Sequence, residues 1–252
     1  MRRSRLDAEL VRRGHARSRA EAAEFIAAGR VLVAGQVATK PSTAVDPAVA
    51  LLVRDADLDP RWASRGAHKL IGALDAFTDV VVDGRRCLDA GASTGGFTDV
   101  LLARGARHVI AVDVGHGQLH WKLRNAPRVT VIEGLNARHL TREMLPGLGD
   151  GAAIVTIDVS FISLGLILPP LVDVTTPDAD VVALVKPQFE AGRRDAPKGV
   201  VRDAAVHARV IEEVTAKAAA IGWSRLAVTP SPIVGAKGNQ EFLMHLRHGP
   251  RP

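Results

Sequence analysis

Four charged residues stand where a proton could be taken from a very weak acid. Asp158 ends the apolar run Ile154-Val155-Thr156-Ile157, and Lys186 ends Val181-Val182-Ala183-Leu184-Val185. Glu241 stands at the start of Phe242-Leu243-Met244-His245-Leu246, and Lys69 lies in Arg65-Gly66-Ala67-His68-Lys69. Two lysines and two carboxylates have a use together. A lysine can take a proton from a hydroxyl if desolvation and a neighbouring cation favour its neutral form. Carboxylates orient ammonium groups and limit their mutual repulsion. Such chemistry requires no metal. His116 and His120 have a metal-ligand spacing but no third ligand nearby, so no metal site is expected. Asp158 and Lys186 abut buried strands, where a structural ion pair is the alternative. For Lys69 and Glu241 the alternative is an ordinary surface position.

A second constellation is the turn Asp89-Ala90-Gly91-Ala92-Ser93-Thr94-Gly95-Gly96-Phe97-Thr98, set between a strand-like run and a helix. Glycines let a backbone turn sharply and approach a ligand closely. The next strand ends in Asp113, an acid able to accept both hydrogen bonds of a ribose diol. A dinucleotide wants G-x-G-x-x-G, but Ser93 holds the second glycine position. A P-loop wants lysine where Phe97 stands. S-adenosylmethionine carries no phosphate. It needs a tight turn beside its methionine part and an acid for its ribose, and both are present. The candidate cofactor contacts are Asp89, Gly91, Ser93, Gly95, Gly96, Phe97, Thr98 and Asp113. Asn136, after the third strand, faces the adenine or caps its own loop. With a sulfonium methyl held beside the four charged residues, a ribose 2′-hydroxyl could attack in line, and proximity would supply much of the rate.

The elements that must position these groups follow from the apolar pattern. Strands are predicted at residues 86–90, 108–112, 129–133, 154–158, 181–185, 224–228 and 242–246, with helices at 67–77, 203–221 and between most strands. Short apolar runs separated by helices make a mostly parallel sheet covered on both faces, with ligands at the carboxyl ends of its strands. Cys87 is the one cysteine, so no internal disulfide is possible, and its apolar setting predicts a buried thiol.

Residues 1–59 read as a separate small domain. Helices fit Leu6 to Arg13 and the alanine-rich stretch after Ser18, a plausible N-cap with Glu21 three residues on; Gly29 ends the second. Short strands then flank Ala34-Gly35. Arg2, Arg3, Arg5, Arg12, Arg13, Arg17, Arg19 and Arg30 crowd this region of a chain of 252 residues with formal charge +6. Such crowding points to a polyanion, or to a solvated helix face. A linker spans 60–63 and the second domain 64–252. The N-terminus lacks an apolar signal core, and the apolar stretch around 154–174 is broken by Asp158, Pro169 and Pro170. A cytoplasmic monomer without membrane attachment is the expectation.

The N-terminal segment resembles an S4-type RNA-binding domain, on Arg5-Leu6-Asp7, Gly14, Ala16, Ser18-Arg19, Gly29-Arg30-Val31 and Val33-Ala34-Gly35. Asparagine is common where Ala34 stands. The resemblance implies contact with structured RNA through Arg5, Arg12, Arg13 and Arg19. The whole chain is similar to the TlyA family of ribosomal RNA 2′-O-methyltransferases, some of which are labelled haemolysins. The runs that carry this are Ser64-Arg65-Gly66-Ala67-His68-Lys69-Leu70, Asp89 through Thr98, Asp113-Val114-Gly115-His116-Gly117-Gln118-Leu119, Asp158-Val159-Ser160-Phe161-Ile162-Ser163, Val185-Lys186-Pro187-Gln188-Phe189-Glu190 and Gly238-Asn239-Gln240-Glu241-Phe242. The resemblance implies an α/β, Rossmann-like (FtsJ-like) methyltransferase fold with a seven-stranded sheet and a small α+β S4-like domain before it. It implies a tetrad of Lys69, Asp158, Lys186 and Glu241, and methylation by S-adenosylmethionine of a cytidine ribose in ribosomal RNA within a ribosomal subunit. Pro60-Arg61-Trp62-Ala63 departs from the Arg-x-Trp-Val found here in some members.

Two other classes are consistent with parts of the chain. A non-catalytic RNA-binding or ribosome-assembly protein accounts for the basic start but not for the four charged residues. A haemolysin-like, membrane-active protein needs an inserting segment, and none is evident. A nicotinamide oxidoreductase is disfavoured by the spacing of the glycine turn. The loop 192–199, Gly192-Arg193-Arg194-Asp195-Ala196-Pro197-Lys198-Gly199, is either an RNA guide or a solvated loop.

Overall fold

The computed structural model describes residues 3–16, 18–27, 29–53, 61–192 and 194–249; Arg2, Arg17, Arg193 and the linker's first residue, Pro60, lie outside them. The N-terminal part runs β1 (Ser4–Arg5), α1 (Leu6–Arg12), α2 (Arg19–Ala27), β2 (Val31–Val33), β3 (Gln36–Val37), β4 (Ala44–Val45) and β5 (Leu51–Val53). Ser18 caps α2 as expected, its hydroxyl accepting from the Glu21 amide at 3.2 Å. Leu6 and Leu10 of α1 meet Ala22 and Ile26 of α2 over the sheet β3-β2-β5. Ala34 takes a left-handed φ of +49° at the hairpin tip, a conformation asparagine tolerates better.

This core is small and is tied by charge. Asp7 accepts from Arg5 and Arg19, and Glu9 from Arg12, Arg13 and the Ser4 hydroxyl. These partners hold the carboxyls of Asp7 and Glu9 down at about 2 against their burial.

The second part contains α3 (Gly66–Ala76), β6 (Arg86–Ala90), α4 (Gly96–Ala103), β7 (His108–Asp113), α5 (Trp121–Arg124), β8 (Val129–Glu133), β9 (Ala152–Ile157), α6 (Leu164–Val174), β10 (Thr175–Val185), α7 (Pro187–Glu190), α8 (Ala204–Ala219), β11 (Trp223–Pro230) and β12 (Phe242–His248). They build one seven-stranded sheet in the order β11-β12-β10-β9-β6-β7-β8. Only β12 runs antiparallel to its neighbours. Large apolar clusters lie on both faces, one involving α6 and α8, the other α3 and α4. Cys87 is buried in the latter, where burial pushes its thiol up to about 12. The stretch 154–174 resolves into β9, the Asp158 loop and α6, which contains both Pro169 and Pro170. Among the described residues no helix is long and apolar enough to cross a membrane.

The chain reverses its lateral direction at β6, which lies between β7 and β9, and the carboxyl ends there open a crevice. The visible part of the linker is fastened to the second domain. The Ala63 amide donates to Asp99 at 2.8 Å, Lys122 bridges Asp99 and the Arg61 carbonyl, and Trp62 packs against the α3–α4 cluster. The N-terminal domain seats on the loop after β7. The Leu51 amide donates to the Gly117 carbonyl at 3.3 Å, and the Gly35 backbone lies on the Trp121 indole.

Candidate active site

The four charged residues that the sequence separates by up to 172 positions meet in one cavity of about 330 Å³. Lys69, in the first turns of α3, reaches Glu241 at 2.7 Å and Asp158 at 3.8 Å. Lys186, just beyond β10, reaches Asp158 at 2.6 Å. Pro187 starts α7 there and turns the chain without leaving an amide unpaired. The charges alternate, Lys186–Asp158–Lys69–Glu241, so each ammonium has a carboxylate and the set is neutral. Asp158 is the most open of the four, its side chain 22% exposed against 3% for Glu241. Two further side chains complete the set. The Ser160 hydroxyl accepts from Lys186 at 2.9 Å, and the Gln188 amide donates to Glu241 at 3.3 Å. The Gln188 carbonyl oxygen is buried with no hydrogen-bond partner among the described residues.

A larger cavity of about 740 Å³ adjoins the first, with Gly91, Ser93, Asp158, Ser160, Phe161 and Phe189 in the walls of both. That volume lies within the range of small-molecule and cofactor sites. Asp113 and Asn136 line it, as does Gln118. The Asp113 carboxylate is already aimed, one oxygen accepting from the Ser93 amide at 2.8 Å and the other from the Gly115 amide at 2.7 Å. Each oxygen keeps a lone pair for a ligand hydroxyl. Asn136 also caps its own turn through the Arg138 amide. Gly91, at φ +88°, lies so close to the end of β9 that a Cβ would stand 2.6 Å from the Asp158 carbonyl oxygen. The glycine loop and the strand that ends in Asp158 therefore touch directly.

Not every candidate cofactor contact faces a cavity. Gly96 and Phe97 line the tetrad cavity, whereas a side chain at Gly95 would run into Leu119 and Leu123. Asp89 and Thr98 are fully buried beneath the loop. The Thr98 and Thr156 hydroxyls donate to Asp89 at 2.6 and 3.0 Å. Burial pushes the Asp89 carboxyl up to about 6, partly offset by those two hydroxyls. In this position Asp89 and Thr98 brace the loop from behind. His116 and His120 fall in a loop and not on one helix face, and His120 caps α5 through the Lys122 amide.

A model of FtsJ-like methyltransferases matches residues 62–248, and a model of the S4 domain matches residues 4–49. The chain is 56% identical over 247 residues to the 16S/23S rRNA (cytidine-2′-O)-methyltransferase TlyA of Mycobacterium tuberculosis (strain H37Rv), covering 98% of this chain and 90% of that one. The chain belongs to the TlyA family of FtsJ-like methyltransferases. Its family members do not share one name: it is 40% identical to Hemolysin A of Brachyspira hyodysenteriae, covering 96% of this chain and 98% of the other. A solved structure from Streptococcus thermophilus that carries a hemolysin designation superposes with a TM-score of 0.74 at 42% identity, covering 100% of this chain and 90% of that one.

Within this family fold, the N-terminal arginines divide. Arg5, Arg12 and Arg19 have side chains 51%, 61% and 58% exposed, and all carry donors beyond those used on Asp7 and Glu9. Arg13 is different. Its side chain is 5% exposed and its donors go to Glu9, the Val49 carbonyl and the Pro47 carbonyl. It is an internal brace of the domain, which corrects its assignment to the RNA face. One residue went unnoticed in the sequence. Phe161 is 89% exposed, has a left-handed φ of +65°, stands in the walls of both cavities and packs on Phe189 with ring centroids 5.0 Å apart. The signal for it was an aromatic three residues after a strand-ending acid, in a loop with no core to enter.

Proposed function

We propose that the protein is an S-adenosylmethionine-dependent 2′-O-methyltransferase acting on a cytidine ribose of ribosomal RNA, with an RNA-binding domain in residues 1–59, a linker in 60–63 and a catalytic domain in 64–252. The observation that carries this reading is the neutral Lys-Asp-Lys-Glu set opening into a second cavity whose wall holds an aimed carboxylate, with Asp158 common to both. The activity of the Mycobacterium tuberculosis relative, at 56% identity, supports it. Bound in the larger cavity, S-adenosylmethionine supplies a methyl group on a positively charged sulfur. Asp113 would hold the ribose diol of that ligand, and Asn136 its base edge.

The tetrad prepares the acceptor. The 2′-hydroxyl would enter beside Lys186, which as the base would take its proton as the oxygen bonds the methyl carbon, the methyl–sulfur bond breaks and S-adenosylhomocysteine leaves. Asp158 then holds the resulting ammonium at the distance already present, so no side chain must reorganise. Lys69 is fixed by Glu241 and offers positive charge to the oxygen as it develops its own negative charge. Phe161 gives the target base a flat apolar face to stack on once it leaves its helix. Arg5, Arg12 and Arg19 hold RNA phosphates at a distance from the chemistry.

The test is incubation of the full chain with radiolabelled S-adenosylmethionine and unmodified small or large ribosomal subunits, beside Lys186→Ala. Label in RNA with the native protein and none with the variant is the expected result, with the label mapped to a cytidine 2′-oxygen. Cofactor binding with no transfer to either subunit would sink the reading and leave an RNA-binding role.

A further inference from the structure

Two turns that each end in Lys-Gly, Ala196-Pro197-Lys198-Gly199 and Gly235-Ala236-Lys237-Gly238, lie side by side, the second in the wall of the tetrad cavity. In each the lysine takes a left-handed φ, +57° at Lys198 and +56° at Lys237, and the glycine after it has φ +77°. Lysine is strained there, and such strain persists only where surroundings enforce it. The enforcer is Asn239, 1% exposed. Its amide nitrogen donates to the Gly199 carbonyl at 3.0 Å and the Ala236 carbonyl at 2.9 Å, and its oxygen accepts from the Val201 amide at 3.0 Å. One buried amide thus locks both turns. The Lys237 ammonium rests on the Lys198 carbonyl at 3.3 Å, so the two lysines share one ledge.

Among the described residues neither lysine has a carboxylate partner. Arg209, by contrast, is paired with Asp195 and Glu213. The ledge adjoins the chemistry: Gly235 and Ala236 line the tetrad cavity, and the Gly235 backbone lies against the Glu241 carboxylate.

We infer that Lys198 and Lys237 form a clamp for a backbone phosphate of the RNA strand being modified, a site that rests on the methyltransferase reading above. The 2′-oxygen and 3′-phosphate of one nucleotide are close neighbours, so a ribose delivered to the tetrad brings a phosphate to this rim. Ammonium point charges on exposed lysines suit phosphate without reading a base.

The test uses the full chain with ribosomal subunits as RNA and three double variants of Lys198 and Lys237, to alanine, to arginine and to glycine. RNA binding is followed between 50 and 200 mM salt, with methyl transfer and S-adenosylmethionine affinity measured in parallel. The alanine pair is expected to lower the salt slope by about 1 and raise KM for RNA about tenfold, with kcat and cofactor affinity within about twofold. The arginine pair restores most of the loss. The glycine pair raises Tm, because the strain is released, while weakening RNA as alanine does. An unchanged salt slope and KM in the alanine pair of a methylating protein overturns the clamp alone. A native protein that binds cofactor but labels no RNA overturns the methyltransferase reading and the clamp with it.

Discussion

In the N-terminal domain the buried carboxylates Asp7 and Glu9 are surrounded by arginine, with Arg5 and Arg19 on one and Arg12 and Arg13 on the other. In the catalytic domain the buried carboxylate Asp89 has no cation partner among the described residues and rests on two threonine hydroxyls. The difference follows from core size. A domain of some fifty residues buries too little apolar surface to stand on packing alone, so charge does part of the holding. The seven-stranded sheet has apolar clusters on both faces. It can leave a carboxyl in an unfavourable place if that place shapes a ligand loop.

The largest effect that sharpens this contrast belongs to the tetrad. Lys186→Arg keeps the charge beside Asp158 but cannot give up a proton. Methyl transfer is expected to fall about a thousandfold, with S-adenosylmethionine affinity and Tm almost unchanged. A rate within tenfold of the native one would remove Lys186 as the base.

Next comes Glu9→Gln, which strands two arginines around a neutral group. The N-terminal domain is expected to lose about 3 kcal/mol. Hydrogen exchange should show lost protection in residues 3–53 and none in β6 to β10.

The pH response is expected to have opposite signs in the two domains. The folded-state values of about 2 for Asp7 and Glu9 lie below their unfolded ones, so their stabilisation is present above about pH 4 and fades as pH falls toward 2. Asp89, raised from 3.8 to about 6, binds its proton more tightly when folded, so the catalytic domain weakens as pH rises between those values. The cost at pH 7 is on the order of 2–3 kcal/mol. Asp89→Asn should flatten that slope in calorimetric melts at pH 4 to 7; an unchanged slope would show that the carboxyl is not its source.

The smallest effects separate neighbouring arginines. Arg12→Ala should reduce the salt slope of RNA binding by about 1, with a smaller loss of Tm than at Arg13 because Glu9 keeps its second arginine. Arg13→Ala should lower Tm, because three acceptors lose their donor. The reverse pattern would return Arg13 to the RNA face.

How much of this was legible depends on whether the signal was local. Residues 86–90 and 129–133 match β6 and β8 residue for residue, because parallel strands between helices are short runs with sharp ends. β10 starts at Thr175 instead of Val181, since Pro177 and the left-handed Asp178 sit in an irregular stretch that no alternation predicts. The two-residue strands β1 and β4 are too short to show any period. The tetrad was legible through motifs, and its four members do meet. Burial was not legible in the same way. Arg13 reads like Arg12 until the loop 46–49 folds over it, and Asp89 reads like a ligand until Thr98 and Thr156 close on it.

The seat between the domains carries a lesson for building chimeras. The hairpin tip at Gly35 is pressed on Trp121, where a Cβ would come within 2.9 Å of the indole, and the Gly117 carbonyl is taken by Leu51. The N-terminal domain is therefore not an interchangeable cartridge. An S4 domain grafted from another protein would have to bring a bare backbone at its hairpin tip, or the recipient would have to surrender its tryptophan. Residue 121 sets the compatibility of any such graft, and a library pairing foreign S4 domains with variants at that position is the place to begin an exchange of RNA specificity.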